Sequence, residues 1–181
     1  DHWAAGYIDY CAEQGLIGGM GDGRFCPDNP VSVVQYAKML LCAIGYGWNY
    51  EFTGMSWDVN VLAKATELDI FEGNRNVVSG NTIIREEAWL YTFNTLTKVM
   101  EAHYNEETGE YYFGDLSNPI IGYDYEETLA FKLFDLQKKA ATDSLGREGY
   151  CWYQRTEQIT DLYFNLTDAV YTATVQSRTL F

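Results

Sequence analysis

The sequence predicts an α+β chain: mostly helical helix–loop–helix repeats in its first half, followed by a smaller β-hairpin-rich α+β region. Apolar residues recur at three- and four-residue spacing in four segments before Met100. The pattern of the first two segments returns about fifty residues later. Beyond Met100, short alternating runs rich in Tyr and Thr take over, so a boundary is placed there.

The first helical segment runs from about His2 to Gln14, with Trp3, Tyr7, Ile8 and Cys11 on one face and Gly15 placed to stop it. A glycine-dense loop follows, Gly18-Gly19-Met20-Gly21-Asp22-Gly23-Arg24-Phe25, closed by Cys26-Pro27-Asp28-Asn29-Pro30. Its glycines permit positive φ and its prolines forbid helix, so it reads as a shaped loop rather than a linker. Ser32 can cap the next helix, whose Tyr36, Met39, Leu40, Ala43 and Ile44 form an apolar stripe before Gly45.

Trp57, Val61, Leu62 and Ala65 replay the face of the first helix, at an offset of 54. Val31 to Ala37 matches Ile83 to Trp89 at an offset of 52, so the second loop is two residues shorter. The chain therefore divides into units over 1–46 and 47–99, with 100–181 as an α+β appendage. In the appendage, Ala102-His103-Tyr104 and Glu110-Tyr111-Tyr112-Phe113 read as a hairpin, and residues 125–136 as a short helix. A second hairpin turns at Asp143-Ser144-Leu145-Gly146, and Asp168 to Val175 reads as a final strand.

Composition narrows function. At 181 residues and 47% apolar content the chain can bury a core, which excludes general disorder. Acidic residues outnumber basic ones by 26 to 12, and the net charge of −14 opposes nucleic acid and anionic lipid. Both halves are acidic, with six basic and twelve acidic side chains up to residue 98 and six and fourteen after it. No apolar run has a membrane span's length, and Asp1-His2-Trp3 does not open like a secretion signal, so the chain reads as a soluble segment. Cys11, Cys26, Cys42 and Cys151 are too irregular for a disulfide scaffold or a zinc site. Cys11 and Cys42 read as buried thiols on helices, and Cys26 either pairs with Cys11 or stays free.

Catalytic patterns are missing. His2 and His103 stand in different segments with no metal or nucleophile motif beside them. Adjacent carboxylates such as Glu86-Glu87, Glu106-Glu107 and Glu126-Glu127 cannot face each other across a glycosidic bond when they share a helix. No EF-hand loop occurs, and Asn165-Leu166-Thr167 is only a short sequon. No enzyme, metal or cofactor is expected.

His2-Trp3-Ala4-Ala5, Gly15-Leu16-Ile17-Gly18-Gly19, Gly21-Asp22-Gly23-Arg24-Phe25, Pro27-Asp28-Asn29-Pro30-Val31 and Ile83-Ile84-Arg85-Glu86-Glu87-Ala88 resemble the S-layer homology (SLH) repeat. The resemblance covers residues 1–98, and the Tyr-rich remainder is similar to regions that follow such repeats in secreted clostridial proteins. It implies part of a pseudo-threefold bundle, here the second and third of three repeats with the first upstream, or with residues beyond 100 as the third prong. It also implies an extracellular, cell-wall location in a Gram-positive bacterium. The implied partner is pyruvylated secondary cell-wall polysaccharide, held noncovalently. Other surface-layer subunits are the alternative partner, with the repeats as an assembly module.

A ketal carboxylate calls for a guanidinium, glycine-loop amides and aromatic faces. Arg85 stands at the arginine of the family's Thr-Arg-Ala-Glu-like motif, near a helix start that also favours an anion. It reads equally as ligand or as a partner of Glu86 or Glu87. Glu87 orients Arg85 or caps the helix. In the first repeat Val33 replaces that arginine and Gln35 the glutamate, so this motif cannot neutralise a carboxylate. Gly21, Asp22 and Gly23 are kept there, while the second repeat has Asn74-Arg75-Asn76. The glycine loop reads either as a tight turn or as half of a shared site. Arg24 and Lys38 are secondary cations. Trp48 and Tyr50 are free to stack on sugar, whereas Trp3 and Trp57 are expected in the core.

Overall fold

In a computed structural model of the chain, the described residues are 2–19 and 22–160. The fold is α+β. Four helices come first: α1 (Ala5–Glu13), α2 (Val33–Ala43), α3 (Trp57–Glu67) and α4 (Arg85–Lys98). A three-stranded antiparallel sheet follows, β1 (Ala102–Asn105), β2 (Glu110–Asp115) and β3 (Asn118–Pro119), in which Ala102 faces Phe113. A 3₁₀ turn at Tyr125–Glu127 leads to α5 (Leu129–Phe134) and a second sheet, β4 (Leu136–Thr142), β5 (Glu148–Gln154) and β6 (Glu157–Gln158). The strand expected at 168–175 and the sequon at 165–167 lie outside the described residues.

Local chemistry sets the helix ends. Ser32 Oγ accepts from the Gln35 amide at 3.3 Å and Gln35 Oε1 accepts from the Ser32 amide at 2.8 Å, a reciprocal cap. At α4, Glu87 Oε2 accepts from the Ile84 amide at 3.2 Å, the same reach-back 52 residues later. Helices α1, α2 and α3 end alike, with Gly15, Gly45 and Asp69 in the left-handed region at φ +71°, +97° and +56°. The next residue then donates back across the last turn, Leu16 to Cys11, Tyr46 to Leu41 and Ile70 to Ala65.

The core forms where α2 packs on α3 and α4. Ala37, Leu41 and Ile44 of the α2 segment, Val61 and Ala65 of α3, Ile70, and Tyr91 of α4 are fully buried in one cluster. Burying each large aliphatic side chain stabilises by about 1.5–3 kcal/mol. Phe71 meets Tyr91 edge-on at 5.0 Å between ring centroids.

Helices α2 and α4 run in the same direction. A bridge between Ser32 and Thr82 joins their N-terminal ends, with the Val33 amide donating to the Asn81 carbonyl at 3.0 Å. At their other ends the Ala102 amide donates to the Ile44 carbonyl at 2.8 Å. Gly45 makes that approach possible, because a Cβ there would lie 1.8 Å from the Ala102 carbonyl oxygen.

The first compact unit runs from Asp1 to Leu129 and the second from Ala130 onward. Secondary structure changes at Met100, but compactness continues past it, because Ala102, Tyr111, Phe113 and Leu129 join the helical core. In the second unit, β4 and β5 pair from Leu136↔Gln154 to Thr142↔Glu148. Their turn is closed by Asp143, whose carboxylate accepts from the Leu145 and Arg147 amides at 2.9 Å each.

Two expectations change. Trp3 is 84% exposed and Tyr7 73%, and α1 has no buried residue, so its aromatic face is not core. The equivalent face of α3 rests on α2, and α1 has no comparable helix contact among the described residues. Cys11 and Cys42 are half-buried rather than buried, Cys151 is buried, and all four thiols, Cys26 included, are free. Trp57 does pack against the core, with Lys38 Nζ 5.4 Å from its ring centroid.

Candidate functional site

The described chain presents two candidate regions at opposite ends of α2. At the N-terminal end, Arg85 is the first residue of α4, exposed and without an ion pair among the described residues. Glu87 is engaged with the helix start and with Asn74, whose Nδ2 donates to it at 3.0 Å. Asn74 also donates to Tyr91 Oη at 2.7 Å, so the 74–76 segment braces α4. Burial pushes the Tyr91 hydroxyl pKa up, against the opposing effect of that hydrogen bond.

The start of α2 is closed. Val33 is 1% exposed, and the Val33 and Val34 amides donate to the Asn81 and Ser79 carbonyls at 3.0 and 3.2 Å. The valine at this position is a core residue, and the amides around it are committed to the neighbouring loop. Among the described residues no other segment's carbonyl covers the start of α4.

In the glycine loop, Arg24 Nε donates to Asp22 Oδ2 at 2.8 Å and the Arg24 amide to Asp22 Oδ1 at 3.1 Å. These bonds hold the Asp22 carboxyl below its usual range, and the two charges offset each other. Gly23 makes the turn at φ +82°, and Gly21 lies outside the described residues. Lys38, a secondary cation by sequence, donates to the Phe52 carbonyl at 2.9 Å and serves the core. A cleft of about 490 Å³ beside Asn74 is lined by Leu62, Asp69, Phe71 and Glu72 among others, and Arg85 does not line it.

Trp48 sits beyond the C-terminal end of α2. Eleven helical residues separate that end from the start of α2, roughly 16 Å at 1.5 Å per residue, so the fold does not bring Trp48 and Arg85 together. Trp48 instead lines a cleft of about 610 Å³ with Tyr10, Glu101, His103, Tyr104, Glu106 and Tyr112 among others. Its loop is pinned from across the chain. Glu51 Oε1 accepts from the Gly47 amide at 2.8 Å and from Tyr111 Oη at 2.6 Å. The Gly47 amide also donates to Tyr111 Oη at 3.0 Å, and Tyr104 Oη donates to Asn49 Oδ1 at 3.1 Å. Sequence reading found Trp48 but missed Tyr10 and the hairpin tyrosines; only the density of Tyr near 104–112 hinted at them.

Among the described residues no group of His, Cys, Asp and Glu could hold a metal, and no helix is long and apolar enough to cross a membrane.

Comparison with known proteins bears on these helices. Residues 1–32 match the model of the S-layer homology domain, the segment that holds α1, the glycine loop and the α2 cap. Residues 1–32 thus carry an S-layer homology domain. The chain is 33% identical over 73 residues to "Cell surface protein" of Thermoanaerobacter kivui, a match covering 40% of this chain and 9% of that protein. It is 28% identical over 94 residues to "Exoglucanase XynX" of Acetivibrio thermocellus, covering 48% of this chain and again 9% of the relative. The chain thus spans under a tenth of the length of the curated relatives it matches. No solved structure matches it. The S-layer homology domain associates the chain with the cell surface and cell wall and supports a surface-anchoring role.

Proposed function

We propose that this chain is a noncatalytic anchor that binds pyruvylated secondary cell-wall polysaccharide without a covalent link, Arg85 taking the ketal carboxylate. The observation that carries this is the contrast between the two equivalent helix starts. At α2 a buried valine and committed amides leave nothing for an anion, whereas at α4 an exposed guanidinium stands at an uncovered start. Two helix–loop–helix units, over 1–46 and 47–99, supply this arrangement, and Glu87 acts as the cap that positions the α4 start. That one relative is named as an enzyme assigns no chemistry here, since the match covers 9% of it. The test is co-sedimentation with pyruvylated and depyruvylated cell walls, using the chain and Arg85→Ala. Pelleting that needs both pyruvate and Arg85 supports anchoring. Equal pelleting with depyruvylated walls overturns it.

A second reading, assembly with other surface-layer subunits, is favoured by a specific observation. Ala37 and Leu41 on α2 are fully buried, while their α4 counterparts, Trp89 and Phe93, are 71% and 48% exposed. Val61 on α3 is likewise buried, and its α1 counterpart Tyr7 is 73% exposed. Helices α1 and α4 thus expose aromatic versions of the faces that join α3 to α2. Sedimentation velocity from 5 to 200 µM distinguishes the readings: concentration-dependent association abolished by Trp89→Asp supports assembly, and a monomer throughout overturns it.

A further inference from the structure

We propose that the cleft formed by the C-terminal ends of α1 and α2 with the β1–β2 hairpin is a sugar subsite for a ring that carries no negative charge. It rests on the wall-polysaccharide reading and assigns a second site, distinct from Arg85, to the same class of polymer. The cleft, about 610 Å³, has the size of a small-ligand site. Tyr10, Trp48, Tyr104 and Tyr112 line it with aromatic rings, and Glu101 and Glu106 line it with carboxylates. A pyranose offers an apolar C–H face to such rings and hydroxyl donors to such carboxylates.

The exposure of these rings is built in. Trp48 is 65% exposed and Tyr10 62%, so neither serves the core. Yet the Trp48 loop is tied down at Gly47 and Asn49 by Tyr111, Glu51 and Tyr104, and it holds Tyr50 at φ +58°, a costly angle for a non-glycine residue. A fixed loop presenting a solvent-facing indole is a preorganised platform, which lowers the ordering cost of binding.

Charge selects the ligand. Among the described residues no Lys or Arg lines the cleft, and α1 and α2 end there with no basic residue in their last turns, so their carbonyl ends add to the field of Glu106. An anionic sugar is repelled, and a neutral or amine-bearing ring is accepted. The opposite holds at Arg85, so a polymer alternating in charge can engage both ends.

The test uses the ¹⁵N-labelled chain titrated with chitotriose, its de-N-acetylated trimer, and trigalacturonate as the acidic control. Chitotriose and its amine form are expected to shift the Trp48 indole signal and the amides of residues 101–106, while trigalacturonate does not. Trp48→Ala and Tyr10→Ala, both at exposed positions and checked for fold by circular dichroism, should weaken binding at least tenfold, and Arg85→Ala by less than twofold. No shift with either non-acidic trimer at 10 mM, equal binding of trigalacturonate, or full binding by folded Trp48→Ala overturns the proposal. Trimer binding lost while walls still pellet overturns the cleft alone. Walls that fail to pellet while trimers bind overturn the anchoring reading alone.

Discussion

Tyr111 on β2 donates its hydroxyl to Glu51 at 2.6 Å, joining the hairpin to the loop after α2 across 60 residues of sequence. Glu51 Oε1 also holds the Gly47 amide, so one carboxylate oxygen fixes both the loop and the strand that borders it. Glu51→Ala should therefore destabilise the first unit by about 1–3 kcal/mol, the cost of leaving the part-buried Tyr111 hydroxyl unpaired and the Gly47 amide with only its longer bond to Tyr111. Tyr111→Phe should cost less, about 1 kcal/mol, because it removes one donor and leaves Gly47 bonded to Glu51. Urea unfolding followed by circular dichroism measures both, and the reverse order would contradict this account.

The same contact sets an alkaline response. The Tyr111 hydroxyl pKa is pushed up to about 12, first by burial and then by its bond to Glu51. Burial, with Glu67 and Glu51 nearby, likewise lifts Tyr46 to about 12. Both pKa values are raised on folding, so the stability they contribute is fully present below pH 10 and is lost between about 10 and 12, as the unfolded tyrosines ionise first. Absorbance titration at 295 nm should show a late phase near pH 12 that disappears on unfolding.

Restoring arginine at the first helix start should fail as a gain of binding. Val33 is 1% exposed within the core, so Val33→Arg should cost about 3 kcal/mol or more from a buried unpaired charge. Wall pelleting should not rise, because the Asn81 and Ser79 carbonyls still occupy the amides there. A folded, tighter-binding variant would overturn this reading of the α2 start.

Asp69 occupies the left-handed position that Gly15 fills 54 residues earlier. Asp69→Gly should then stabilise the chain by about 0.5–1 kcal/mol through relief of backbone strain, offset in part by a freer unfolded chain. Thermal unfolding reads the shift, which should be upward.

The helices and both hairpins were legible because each rests on local chemistry: the Ser32 cap, the apolar spacing of α2, and the turns at Gly109 and Gly146. The strands β3 and β6 were not, since two residues carry no periodicity. The exposure of Trp3 was misread because a helix face encodes that it is apolar and not whether a neighbour reaches it. The closed start of α2 was half-legible in Val33, but its commitment to Ser79 and Asn81 is a tertiary fact. Likewise nothing near Trp48 in sequence announces Tyr104 or Tyr111, which arrive from beyond α4.

Gly45 also decides whether the distant hairpin can seat at all. The contacts of α2 with α3 and the turn of the β1–β2 hairpin are short-range, whereas seating the hairpin joins residues 45 and 102, 57 positions apart. Closing that long loop costs entropy before it gains any contact, as does the pairing of α2 with α4 beside it. The bare Cα of Gly45 is the clearance through which it seats. With that clearance filled, the strand that carries Ala102 would be pushed off the end of α2, and its tyrosines would lose their hold on the Trp48 loop.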